Sequence, residues 1–269
     1  MTQEEAKQLI PYVKESFIAT FPLSKDIVKN VPFVLVANRN RAEIRIKTME
    51  DCGAEFKDDG NLRGEVIFGA KGYAILIYLT AAKTKKEFCY TAWHELGHIF
   101  TRLVNKEVFD IGEQDVKEDR DTTLRNGLTL WSEYIAEYMA ILIDNSPPLS
   151  VAWPKQDILT QYIREATLTD GLHPYPLAFY CAMMMGDNTV EAMLQRTPNA
   201  DIGLGLCDEA LTQMILDLLR LLDKELCKEE YWFITKETLE DIGTLINDMW
   251  VHCGYLYQMK QLQKRLRGK

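Results

Sequence analysis

His94-Glu95-Leu96-Gly97-His98 is the stretch on which the reading of this chain turns. On a helix, residues four apart share a face, so His94 and His98 present two imidazoles to one point. Glu95 is rotated by about 100° from His94, which sets its carboxylate beside that point rather than on it. Two nitrogen donors and a neighbouring carboxylate within five residues suit a zinc hydrolase whose carboxylate is the general base. The competing reading is a core helix with two hydrogen-bonded histidines. Against it, two of the chain's four histidines would then share a face beside a carboxylate by accident.

The neighbouring residues predict the helix. Thr84 and Glu87 have the spacing of a capping box, and no proline occurs from Phe88 to Val104. Cys89, Ala92, Leu96, Ile99 and Leu103 recur at three- and four-residue intervals and form the expected buried stripe. Thr91, His94, His98 and Thr101 fall on a more polar face. A metzincin would have glycine at 101 and histidine at 104, and the chain has Thr101 and Val104, so that class is excluded. Met183-Met184-Met185 accordingly reads as adaptable core packing rather than as a Met-turn.

A second helix is expected over Trp131 to Ala140. Glu133 and Glu137 share one of its faces with Ala136 and Ala140, whose small side chains permit close approach of a neighbour. Tyr134, Tyr138 and Ile141 form its apolar side. Between the two helices lie Glu107, Asp110, Glu113, Asp115, Glu118, Asp119 and Asp121. These acids are rival ligands, in a segment that reads as a solvated connector over a cleft.

With these residues in place, the chain resembles the gluzincin branch of zinc metallopeptidases. That resemblance implies one Zn2+ per chain, held by His94, His98 and Glu133. It also implies that Glu137, one turn on, holds a ligand histidine by a hydrogen bond. The segment from Glu87 to Leu142 also resembles the ImmA/IrrE-type peptidases, bacterial and phage proteins of which some cleave or inactivate repressors. Ile135 departs from that pattern, standing where those proteins usually carry another acid. The substrate implied is a peptide or protein, with a regulatory protein among the candidates.

Composition fits a globular enzyme. The 269 residues carry 47% hydrophobic and 26% charged side chains, enough for one large or two modest domains. A net charge of −9 argues against nucleic acid as a partner. Only the tail from Lys260 to Lys269 is basic, on the pattern of a frayed helix. Six scattered cysteines without a paired-cysteine motif read as reduced and buried, which with the acidic start of the chain suggests the cytoplasm. The apolar runs Tyr73 to Ala82 and Leu177 to Met185 are too short to span a bilayer, so no membrane partner is expected.

The expected fold class is α+β. Thr2 and Glu5 start a first helix that Pro11 should kink or restart. Strand-like runs follow at Phe33 to Ala37, Ala42 to Thr48, Glu65 to Phe68 and Tyr73 to Thr80. After Thr84 the chain reads as helical almost to its end, interrupted by prolines and glycines near 145–148, 171–176 and 197–205. By resemblance this is a zincin-like plan. Residues 1–150 form a catalytic domain with a small sheet packed on the active-site helix pair, and residues 151–269 form a helical subdomain closing the cleft. Tyr73 to Thr80 is the expected strand for pairing with an extended substrate.

Zinc held by two imidazoles and a carboxylate lowers the pKa of a bound water to near 7. Glu95 would take a proton from that water and pass it to the leaving nitrogen. An oxyanion donor is sought in Gly171 to Pro176, where His173 is the candidate, as a histidine is in several gluzincins, with Tyr175 and Tyr180 behind it. His252 reads as structural. The alternative function is a non-hydrolytic, zinc-stabilised module that binds a partner. Glu95 speaks against it, since a structural site closes with a fourth protein ligand and needs no adjacent base. A hydrolase acting on a non-peptide amide is a third option.

Overall fold

The computed structural model describes residues 1–37, 40–55, 63–111, 122–144, 209–226 and 228–267. It is α+β and mostly helical, with one three-stranded sheet. The chain divides into two compact units, Met1–Leu103 with Met139–Ala152 and Val104–Tyr138 with Trp153–Lys269.

In the first unit, helix α1 (Gln3–Thr20) opens on the expected capping box: Thr2 Oγ1 accepts from Glu5 N–H at 3.2 Å, and Glu5 Oε2 accepts from Thr2 N–H at 2.8 Å. Ala6, Val13 and Phe17 form its buried side. Pro11 lies within the helix without restarting it. It sits on the exposed side, where water can solvate the Lys7 carbonyl that proline leaves without an amide partner.

A short helix α2 (Lys25–Val28), strand β1 (Phe33–Val36), helix α3 (Arg41–Cys52), and strands β2 (Gly64–Gly69) and β3 (Gly72–Tyr78) follow, then helix α4 (Lys85–Val104). The expected strand over Ala42 to Thr48 is instead part of α3. Ala42, Ile44, Ile46 and Thr48 mimic a two-residue alternation, but burial follows the helical period. Arg45, Thr48, Met49 and Cys52 are buried, while Ile46 is 42% exposed. An inward-facing arginine disguised the true period.

The sheet order is β1-β3-β2, with β1 parallel and β2 antiparallel to β3. The centre is therefore β3, whose Ile75, Leu76 and Ile77 are fully buried. This overturns the expectation that Tyr73 to Thr80 pairs with a substrate, because β1 and β2 already occupy both of its edges. Continuous burial of this kind is what a central strand shows, and an edge strand would alternate. On one face, Val36, Ile67, Ala74, Leu76 and Tyr78 pack with Met49 and Cys52 of α3.

The second unit holds helix α5 (Thr122–Ile143) as far as Tyr138, with helices α6 (Glu209–Leu226) and α7 (Lys236–Arg267). The backbones of α5 and α7 meet at two glycines. A Cβ on Gly127 would lie 1.9 Å from the Leu239 carbonyl oxygen, and one on Gly243 would lie 1.8 Å from that of Thr123. Asn247 ties the crossing: its Nδ2 donates to Thr123 Oγ1 at 2.9 Å and its Oδ1 accepts from Asn126 Nδ2 at 2.7 Å. Buried Asn105 donates to the Trp232 carbonyl at 2.7 Å and accepts from Ile234 N–H at 3.0 Å, fixing the turn before α7. Among the described residues, no helix is long and apolar enough to cross a membrane.

Candidate metal centre

Helix α4 begins as its sequence demands. Thr84 Oγ1 accepts from Glu87 N–H at 3.1 Å and Glu87 Oε2 accepts from Thr84 N–H at 2.9 Å. Cys89, Ala92, Leu96 and Ile99 are buried as the periodicity requires, and so are Phe88, Tyr90, Trp93 and Phe100. The helix is thus enclosed on more than one side. Trp93 Nε1 donates to Ser16 Oγ of α1 at 2.9 Å, which fixes its rotation.

The four-residue spacing on this helix brings the two histidines together. Their Nε2 atoms are 3.0 Å apart, with ring centroids separated by 4.6 Å and planes at 85°. Two nitrogens on one tetrahedral zinc, each at about 2.0–2.1 Å, would lie about 3.3 Å apart. The pair therefore fits a shared metal with only a small adjustment. Ligand atoms of His94, His98 and Glu133 all lie within 4.8 Å of one another. Two imidazoles and a carboxylate form a donor set that can hold a divalent metal ion.

Glu95 is 6% exposed and Glu137 is 3% exposed. Thr101 does not extend the polar face, because its hydroxyl donates back to the Gly97 carbonyl at 2.8 Å. Of the rival acids, Glu107 and Asp110 are exposed, and those from Glu113 to Asp121 lie outside the described residues. So do His173, Tyr175, Tyr180 and Met183 to Met185. His252 is partly buried on α7. Burial pushes the Cys89 thiol up to about 11, which keeps it protonated and a poor ligand at neutral pH.

Two features at the start of β2 carry no sequence motif. Gly64 abuts α4: a Cβ there would lie 2.7 Å from Thr91 Cγ2 and 2.9 Å from Glu95 Oε1. A glycine opening a strand-like run is the only hint, since it often marks close approach of another element. On the opposite face of the strand, Arg45 Nε donates to both oxygens of Glu65, at 2.8 and 3.1 Å. The Tyr78 hydroxyl donates to Glu65 as well, and the Arg41 guanidinium stands 4.0 Å over the Tyr78 ring. Burial, then the bond to Glu65, holds the Tyr78 phenol far above its ordinary range.

Comparison of the chain with family models, curated proteins and solved structures gives no match.

Proposed function

We propose that the protein is a zinc metallopeptidase of the gluzincin type, hydrolysing peptide bonds in a peptide or protein substrate of the cytoplasm. The observation that carries this reading is the gathering of His94, His98 and Glu133 ligand atoms within 4.8 Å, with Glu95 next to His94 in sequence. The spacing of the two imidazole nitrogens supports zinc as the ion. When bound, zinc supplies Lewis acidity and a water that can lose its proton near neutral pH. Glu95 would accept a proton from the attacking water and hand it to the leaving amine. Glu137 orients a ligand histidine through the carboxylate–imidazole bond common around zinc. Pairing with an extended substrate falls to β2, an edge strand whose first residue abuts Glu95. Regulatory proteins are candidate substrates, in keeping with the likeness to the ImmA/IrrE-type peptidases.

Elemental analysis of the desalted protein tests the reading, alongside Glu133→Ala and Glu95→Gln and an assay on labelled casein. The expected result is about one zinc per chain, lost in Glu133→Ala and kept in Glu95→Gln. Glu95→Gln should reduce hydrolysis by roughly 10²–10⁴-fold. Zinc unaffected by Glu133→Ala would move the third ligand elsewhere, and full activity in Glu95→Gln would end the peptidase assignment. Zinc without hydrolysis in the wild type would make the site a structural one in a binding module.

A further inference from the structure

We propose that Gly64 is a positioning residue: the bare backbone at the start of β2 is a wall against which the Glu95 carboxylate is set. The inference rests on the peptidase reading for its catalytic consequence, but the contact stands on geometry alone. Successive residues of a strand face opposite sides of its sheet. At the start of β2, both sides are engaged. Gly64 faces α4, where a Cβ would meet Glu95 Oε1 at 2.9 Å, Glu95 Cγ at 3.0 Å and Thr91 Cγ2 at 2.7 Å. Glu65 faces α3 and is held there by Arg45 and by Tyr78. The backbone is pinned along the sheet too, since Tyr78 N–H donates to the Arg63 carbonyl at 2.9 Å. A wall anchored on its far face and along its edge does not retreat when crowded.

The consequence is specific to glycine. Any side chain at 64 would have to displace the Glu95 carboxylate, the Thr91 methyl, or both. A general base works only within hydrogen-bond reach of the proton it takes, so a displacement of a few tenths of an ångström falls on turnover rather than on binding. The three atoms nearest to a Cβ at 64 belong to Thr91 and Glu95 and not to His94 or His98. Metal binding should therefore survive a change that impairs the base.

Four proteins test this: wild type, Gly64→Ala, Thr91→Ser and the double variant Gly64→Ala/Thr91→Ser. Replacing Thr91 by serine removes the methyl at 2.7 Å and leaves the contact with Glu95. Zinc content, thermal midpoint, and kcat and KM on labelled casein are measured for each. Gly64→Ala should keep about one zinc per chain and lose at least about tenfold in kcat, with KM changed by less than about twofold. The double variant should regain much of the thermal midpoint while kcat stays low. Recovery of both would mean that Gly64 only makes room for Thr91, and would overturn the proposal.

A readout without turnover uses metal-free protein and the cycle of Gly64→Ala with Glu95→Ala, both in the Thr91→Ser background. If the wall meets Glu95, removing that side chain makes room for the new methyl. The fall in midpoint caused by Gly64→Ala should then shrink by at least half. Additive midpoints would overturn the contact. Coupled midpoints in a protein whose wild type hydrolyses nothing would support the wall and overturn the peptidase reading instead.

Discussion

Arg45 and Glu65, with side chains only 7% and 10% exposed, form the charged pair on which the sheet face over α3 depends. Removing Glu65 takes from buried Arg45 the carboxylate it pairs with and from Tyr78 the acceptor of its hydroxyl. Glu65→Ala should therefore cost about 3–5 kcal/mol of stability. Urea unfolding measures this, and a loss below about 1 kcal/mol would show that the pair adds little to stability. Cys89 gives a prediction in pH. Its folded value is raised from 9.0 to about 11 by burial, so the folded state keeps its proton where the unfolded chain has lost it. Stability is then complete below pH 9 and falls as pH rises toward 11. The Tyr78 phenol is shifted in the same direction and adds to the fall at higher pH. In Cys89→Ala the decline of the thermal midpoint between pH 9 and 11 should be visibly shallower, and an unchanged slope would remove Cys89 as its source. At this scale the sequence was legible where chemistry is local. His94, Glu95 and His98 are related by helical geometry alone. Gly64 and Arg45 owe their roles to partners about thirty and twenty residues away, and composition assigns an arginine to the surface by default.

Among the elements, the crossing of α5 and α7 makes the sharpest demand. Alanine in place of glycine within an exposed helix stabilises by about 1 kcal/mol. At Gly127 and Gly243 the added methyl would meet a backbone carbonyl below 2 Å, which no side-chain rotation relieves. Overpacking of this kind costs about 1–3 kcal/mol or more, so the crowding should win. Each substitution should lower the urea midpoint, and a rise would show that the helices separate freely. The capping boxes at Thr2 and Thr84 were readable because four residues suffice to make them. The α3 helix was not, since its apolar residues alternate while its buried face includes Arg45 and Thr48. β3 was recognised as a strand, but its place at the centre of the sheet depends on its partners and not on its own letters.

For the molecule as a whole, bound zinc would act on stability by mass action. At a free concentration a hundred times its dissociation constant it would add about 2.7 kcal/mol. For a chain of this size that corresponds to a thermal midpoint about 5–10 °C higher. Chelation should remove the increment from the wild type and leave His98→Ala unmoved, as calorimetry can show; equal responses would place the ion elsewhere. An α+β composition was legible from the shift of strand-like runs to helical ones after Thr84. The pairing of residues 33–36 with the strand at 72–78 was not, because nothing in either segment names its partner. That pairing sets a timetable for the newborn chain. Residues 33–36 emerge from the ribosome first and wait, with their hydrogen-bonding edge bare, until everything from 37 to 71 has been made. β2 waits as well, and only the arrival of β3 gives either of them a neighbour. No pair of the sheet can therefore form before β3 is made, and a chain stalled before residue 72 would hold two sticky strands and no sheet.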